Sequence, residues 1–206
     1  MGLSFVVGII IITVLVSLNA FKNSSLMDKM MYSAYLSKHQ KEHYRILSHL
    51  LVHKDASHLM FNMMSLYFLG TFLEESLVFS YGNVQGELFF GLIYILGGVF
   101  ATLWPYLRNQ DNPNYWSLGA SGAVSAVIFA AIMWQPAMKL QLFFIPIGIP
   151  AYLFGPIYLG LEYYLDKRGN SRIAHDAHIG GALFGILFIL IINIDKGKEF
   201  LNLIFG

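Results

Sequence analysis

The chain contains no cysteine, little charge, and no internal repeat or low-complexity segment. Without cysteine there is no disulfide, no thiolate metal centre and no thiol nucleophile. Charged residues make up only 12% against 56% hydrophobic, too little polar surface for a soluble domain of this length to cover its core. A net charge of +1 and the lack of a Lys/Arg cluster with a binding motif set nucleic-acid partners aside. The metalloprotease pattern His-Glu-x-x-His is also missing.

What is present is apolar sequence in blocks, several approaching the ~20 residues that cross a bilayer. The pattern predicts an all-α, polytopic membrane protein forming one domain over residues 1–206. Six transmembrane helices are expected, at about 3–20, 58–79, 88–103, 121–134, 142–164 and 177–192, with both termini on one side. The first block reads as a span and not as a cleaved leader, because no Lys/Arg region precedes it. Phe21 to Ser57 is too polar to cross and too apolar for a free linker, which predicts a long interfacial first loop with helices lying partly in the membrane surface. Trp104-Pro105 is expected to close span three, with Arg108 to Asn114 an exposed loop. Span five holds Pro146, Gly148, Pro150, Gly155 and Pro156 and should be bent or loosely packed. Asp166 to Ser171 reads as a polar loop, and the residues around Lys196 and Lys198 as a short tail.

The fourth block opens on Gly119-Ala120-Ser121-Gly122 and runs to Trp134. A helix from Ser121 to Trp134 rises only ~20 Å at ~1.5 Å per residue, short of the ~30 Å hydrocarbon core. Its first turn therefore lies below the membrane surface, with the Ser121 hydroxyl beside the unpaired N–H groups of a helix start, where negative charge is favoured. Spans two, four and six start on the same side, and the polar residues His58 and Asn62, Ser121, and His178 all fall at or near those starts. Such groups at membrane depth are costly and point to function. His58 and Asn62, four apart, share one helix face. Gly181-x-x-x-Gly185 in span six and the small strip Gly122, Ala126, Ala130 in span four allow close helix approach. That approach would bring Ser121 and His178 within hydrogen-bond reach, as a serine nucleophile and its base require. Singly, each motif has a structural explanation: small residues pack helices, and a histidine at a span end ties down a loop. Their joint occurrence at one depth favours chemistry.

These residues resemble the rhomboid intramembrane serine proteases. The resemblance rests on His58-x-x-x-Asn62, on Gly119-Ala120-Ser121-Gly122, and on Ala177-His178-x-x-Gly181-x-x-x-Gly185. Tyr44-Arg45 is similar to the family's aromatic–arginine pair, Glu74 stands where the family often has a carboxylate, and His49 and His53 fit its histidine-rich approach to span two. The resemblance implies a catalytic dyad of Ser121 and His178, an oxyanion hole from His58, Asn62 and the Ser121 backbone N–H, and packing roles for Gly119, Gly122, Gly181, Gly185, Arg45 and Glu74. Oxyanion donors are typically worth about 3–4 kcal/mol each in the transition state. It further implies single-span transmembrane substrates within the lipid bilayer, no cofactor and no metal. The expected setting is a bacterial-type six-span core without an appended soluble domain, multi-pass in the bacterial inner membrane with cytoplasmic termini.

Asp176, two residues from His178, lies on the opposing face of a helix, which favours a dyad over a triad. Position 125, four after the nucleophile, is serine where relatives can carry an aromatic ring stacked on the histidine. Ser125 or Phe184 is then the candidate to hold the His178 ring. The Lys/Arg distribution opposes the family topology: ten on the site face (Lys22, Lys29, Lys38, Lys41, Arg45, Lys54, Arg108, Lys167, Arg168, Arg172) against three elsewhere (Lys139, Lys196, Lys198). The topology adopted here follows the resemblance. Two other functions compete: a metal or solute transporter using His49 with His53, or His175, Asp176 and His178, and a non-catalytic rhomboid-like protein that binds membrane clients.

Overall fold

The computed structural model describes residues 4–141, 148–168 and 174–206. It is helical almost throughout. Helix α1 (Phe5–Ala20) is apolar on every side, burying Val6, Thr13, Ser17 and Ala20 while Ile12, Leu15 and Leu18 are exposed. Its first N–H groups are received by Glu74, 2.7 Å from Phe5 N and 3.4 Å from Val6 N, and Ser4 Oγ donates to the same carboxylate. A carboxylate there meets both the unpaired donors and the positive end of the helix dipole. Glu74 thus anchors α1 to the second apolar helix, which runs as α5 (Ala56–Ser65), a π-helical stretch Leu66–Gly70, and α6 (Thr71–Tyr81).

The first loop folds into three short helices, α2 (Ser24–Met30), α3 (Ala34–His39) and α4 (Arg45–Ser48), followed by a 3-10 turn over His49–Leu51. Arg45, only 5% exposed, donates through Nη1 to the carbonyls of Asp28, Lys29 and Met31 at 2.7, 2.8 and 2.8 Å. Those carbonyls end α2 and have no partner within the helix, so the guanidinium both caps it and closes the loop.

Helix α9 (Ser121–Trp134) is the centre of the molecule, buried from Gly122 to Val127 and again from Phe129 to Trp134. Around it stand α7 (Asn83–Ala101), α10 (Ala151–Arg168) and α11 (His175–Ile192). Small residues let these helices touch at the backbone. A Cβ at Gly181 would fall on the Gly122 carbonyl oxygen, and one at Gly185 on the Ala126 carbonyl oxygen. Among the described residues, the helical run Asn83–Asn109 and α11 are long and apolar enough to cross a membrane, and α1 and α9 are shorter apolar helices.

Several elements depart from expectation. Pro105 does not close the third block; it sits in the first turn of α8 (Leu103–Asn109), where its missing N–H costs nothing. In the fifth block, residues 142–147 lie outside the described residues. The described part begins with β2 (Ile149–Pro150), paired antiparallel to β1 (Lys139–Leu140), and α10 starts only after Pro150. Proline disfavours helix in the residue before it, which sets that start. At the other end α10 continues to Arg168, so Asp166 is helical and not in a loop. The expected tail is α12 (Asp195–Phe205), whose Lys196 ammonium lies 5.1 Å from the Trp134 ring centre.

Candidate active site

The turn leading into α9 is pinned by the first loop. Tyr32 and Ser117 exchange backbone hydrogen bonds of 2.8 and 3.0 Å, Gly119 N–H donates to the His49 carbonyl at 3.0 Å, and Ala120 N–H donates to His53 Nε2 at 3.3 Å. Gly119 adopts φ 111, a left-handed conformation that glycine takes without strain. A side chain is excluded there for a second reason: a Cβ would lie 2.6 Å from Cε1 and 3.0 Å from Nε2 of His58.

His53 is fully buried, and its partners determine its tautomer. Nε2 accepts from Ala120, so the ring proton is on Nδ1, which donates to Ser17 Oγ at 3.0 Å; that hydroxyl donates in turn to the Leu51 carbonyl at 2.9 Å. Burial, with the neighbouring His58 adding to it, pushes the His53 pKa down to about 3. His49, whose Nδ1–H donates to the Arg45 carbonyl at 2.9 Å, is pushed down by burial to about 4. Two neutral histidines therefore link α1 and the first loop to the residues just before Ser121.

His58 enters from the first turn of α5, where Asp55 caps the helix by accepting its N–H at 2.8 Å. Its ring meets His53 edge-on at 5.1 Å and lies within electrostatic reach of His178. Asn62, one turn further, is buried and donates through Nδ2 to the His58 carbonyl at 2.9 Å. The second amide hydrogen is chemically available to another acceptor.

Ser121 adjoins Gly122, and His178 precedes Gly181 by three residues, so both lie within one turn of the α9–α11 backbone contact. The His178 ring is held from α10, not from α9 or α11. Its Nδ1 is 3.2 Å from Glu162 Oε1, and His175 Nδ1 is 2.6 Å from Glu162 Oε2. An ionised carboxylate only accepts, so each Nδ1 carries a proton, and the Nε2 of a neutral His178 is left with its lone pair. Tyr158, one turn before Glu162, packs its ring on Phe129 and Phe154 at 5.8 and 5.6 Å.

The hydrogen bond to the ring thus comes from Glu162, while Phe184 packs on Phe100 and Phe188 at 5.6 and 5.9 Å and Ser125 is buried in α9. Asp176 accepts from Ala177 N–H at 2.9 Å and lies 3.5 Å from Arg108, which also pairs with Asp166 at 2.9 Å. Glu162 is not among the residues that the sequence motifs pick out; its signal is a lone carboxylate, four residues after Tyr158, inside an otherwise apolar block.

A sequence model of the Rhomboid domain matches residues 40–194. Among curated proteins, the chain is similar to RHOMBOID-like protein 12, mitochondrial, of Arabidopsis thaliana, 30% identical over 203 residues that cover 94% of this chain and 59% of that protein. It is similar to rhomboid protease GluP of Bacillus subtilis, 27% identical over 161 residues, covering 78% of this chain and 28% of that protein. Presenilin-associated rhomboid-like protein, mitochondrial, of Bos taurus is 31% identical over 118 residues, covering 52% of this chain and 29% of that protein. The chain thus spans between 28% and 59% of the length of these relatives.

Proposed function

The chain belongs to the rhomboid family, and we propose that it is an intramembrane serine endopeptidase. The Rhomboid domain and the exposed apolar helices make it an integral membrane protein. In this reading residues 1–206 form one six-span domain: α1, α5 with α6, α7, α9, α10 and α11. Ser121 Oγ attacks the scissile carbonyl while its proton passes to His178 Nε2. The negative charge that develops on the carbonyl oxygen is met by His58, Asn62 and the Ser121 N–H. Collapse of the tetrahedral species breaks the C–N bond, and His178 gives the proton to the leaving amine. Water, deprotonated by the same histidine, then releases the acyl group.

The observation that carries the reading is the backbone contact of Gly181 on Gly122 beside a His178 whose Nδ1 is already committed to a carboxylate. It supports a reading in which the two residues face each other across the helix seam, with Nε2 as the basic nitrogen of a neutral His178. Substrates would be single-span membrane proteins entering laterally past α10, which buries only Ala151, Gly155 and Glu162 and contains Pro156. Substrate helices with small or helix-breaking residues unwind most readily into an extended, cleavable form. The termini are placed in the cytoplasm, so a reporter fused after Gly206 should read cytoplasmic. The relatives named above are both mitochondrial and bacterial, so the similarity carries the location to a membrane and does not select the bacterial inner membrane.

The deciding experiment is cleavage of a single-span substrate by the purified protein in liposomes. Activity that disappears in Ser121→Ala is expected; a substrate left intact by wild type, or cut equally by the variant, would remove the protease reading in favour of a client-binding role. A metal-site reading has one observation in its favour: ligand atoms of Glu162, His175 and His178 lie within 4.8 Å of one another. Cleavage unaffected by chelators argues against it.

A further inference from the structure

Glu162 lies outside the residues by which the chain resembles its family, yet it makes the closest polar contacts to the proposed base. It is 7% exposed, sits on α10, and receives Nδ1 of two histidines on α11, one on each carboxylate oxygen. The two rings stand edge to face, 6.2 Å apart. With both Nδ1–H groups donated, the carboxylate is compensated and each ring is fixed in one tautomer. Among the described residues, the charged and titratable groups facing His178 include Glu162 from α10, His175 from the preceding turn of α11, and His58 from α5. Asp176 is engaged by Arg108, which reaches over from α8.

Resting on the protease reading, we propose that Glu162 is a positioning residue of this site: it holds His178 in the Nδ1–H tautomer from α10, the helix under which substrate enters. The Ser121–His178 pair then acts as a triad whose third member stands on the gate. Substrate entry must either leave the Glu162–His178 hydrogen bond intact or let it re-form before attack. A carboxylate that merely ties α10 to α11 would contribute stability and nothing else. One that orients the base would also fix its tautomer and so the rate of the chemical step.

The test compares wild type, Glu162→Gln and Glu162→Asp in liposomes, reading kcat and KM separately, with thermal unfolding as a control. Glu162→Gln should lower kcat by about tenfold or more and leave KM within about twofold. Glu162→Asp keeps an acceptor that carries charge and should recover part of kcat. As a readout that needs no turnover, 15N-histidine NMR of Ser121→Ala protein should show His178 with its proton on Nδ1, and a mixed tautomer when Glu162→Ala is added. A kcat loss that follows only the loss of folded protein, with the tautomer unmoved, would overturn the proposal while wild-type cleavage persists. Failure of wild type to cleave at all, or retained cleavage in Ser121→Ala, would overturn both this proposal and the reading beneath it.

Discussion

The proposed nucleophile and its proposed base are held in different ways. Ser121 follows a turn whose backbone N–H groups donate to the His49 carbonyl and the His53 ring and which is roofed by His58, all from the first loop and the helix after it. His178 is oriented by one side chain from α10, a helix with Pro156 in its interior and Leu153, Ile157, Leu161 and Tyr163 exposed. One side of the site is built into the fold and the other rests on a sparsely buried element. The contrast suits the proposed protease, which would have to admit a helix: the face proposed as the gate is separate from the face that holds the proposed nucleophile.

The comparison can be broken at its common foundation, the α9–α11 seam. Gly181→Leu places atoms on the Gly122 carbonyl, and overpacking of this kind typically costs about 1–3 kcal/mol or more. Thermal unfolding in detergent should show the largest loss of any single change discussed here, with activity lost alongside. A Gly181→Leu protein as stable as wild type would mean that the two backbones are not in contact.

On the pinned side, His53→Ala leaves the Ala120 N–H and the Ser17 hydroxyl short of a partner, a loss of about 1–3 kcal/mol. Both unfolding temperature and cleavage should fall, in contrast to Glu162→Gln, where cleavage should fall more than stability. The same histidines give this side an acid sensitivity. Their folded pKa values, about 4 for His49 and about 3 for His53, lie below the ordinary 6.5. The unfolded chain therefore binds protons below about pH 6.5 that the folded chain does not, and stability falls as pH drops from there towards 4 and below. Unfolding temperatures across that window should decline, and less steeply in His53→Asn; a flat profile would contradict their burial as neutral rings.

The smallest effect belongs to the looser side. Phe154 stacks on Tyr158 at 5.6 Å, and it and Leu69 of the second helix both pack against the cluster around Phe129 and Ile132. Phe154→Ala should raise turnover of a membrane-embedded substrate a few-fold while leaving reaction with a small serine-directed probe unchanged. Equal rates for both substrates would remove α10 as the gate.

The contrast also explains what could be read from the sequence. Close approach of helices is written in the spacing of small residues, so Gly122, Gly181 and Gly185 were visible as a seam before any coordinates. Gly119 and Ser121 stand out only in company: a glycine–alanine–serine–glycine run is common where membrane helices pack, and it points to a site through His58, Asn62 and His178 at matching span starts. The helical class followed from the apolar blocks themselves. Glu162 was hidden for a physical reason: its role depends on the rotation of α10, and prolines at 146, 150 and 156 obscure where that helix begins. In the sequence His53 is one histidine among several, since its partner is a backbone N–H 67 residues away. Pro105 misled because proline stops a helix interior yet is tolerated in a first turn, and the two cases look alike in sequence.

Peptide mapping of a fluorophosphonate adduct on the intact protein reads the pairing of the two sides most directly. The account predicts a single adduct on the Ser121 hydroxyl, formed by wild type and lost in His178→Ala. An adduct on another serine, or one that forms on Ser121 at the same rate without His178, would contradict it.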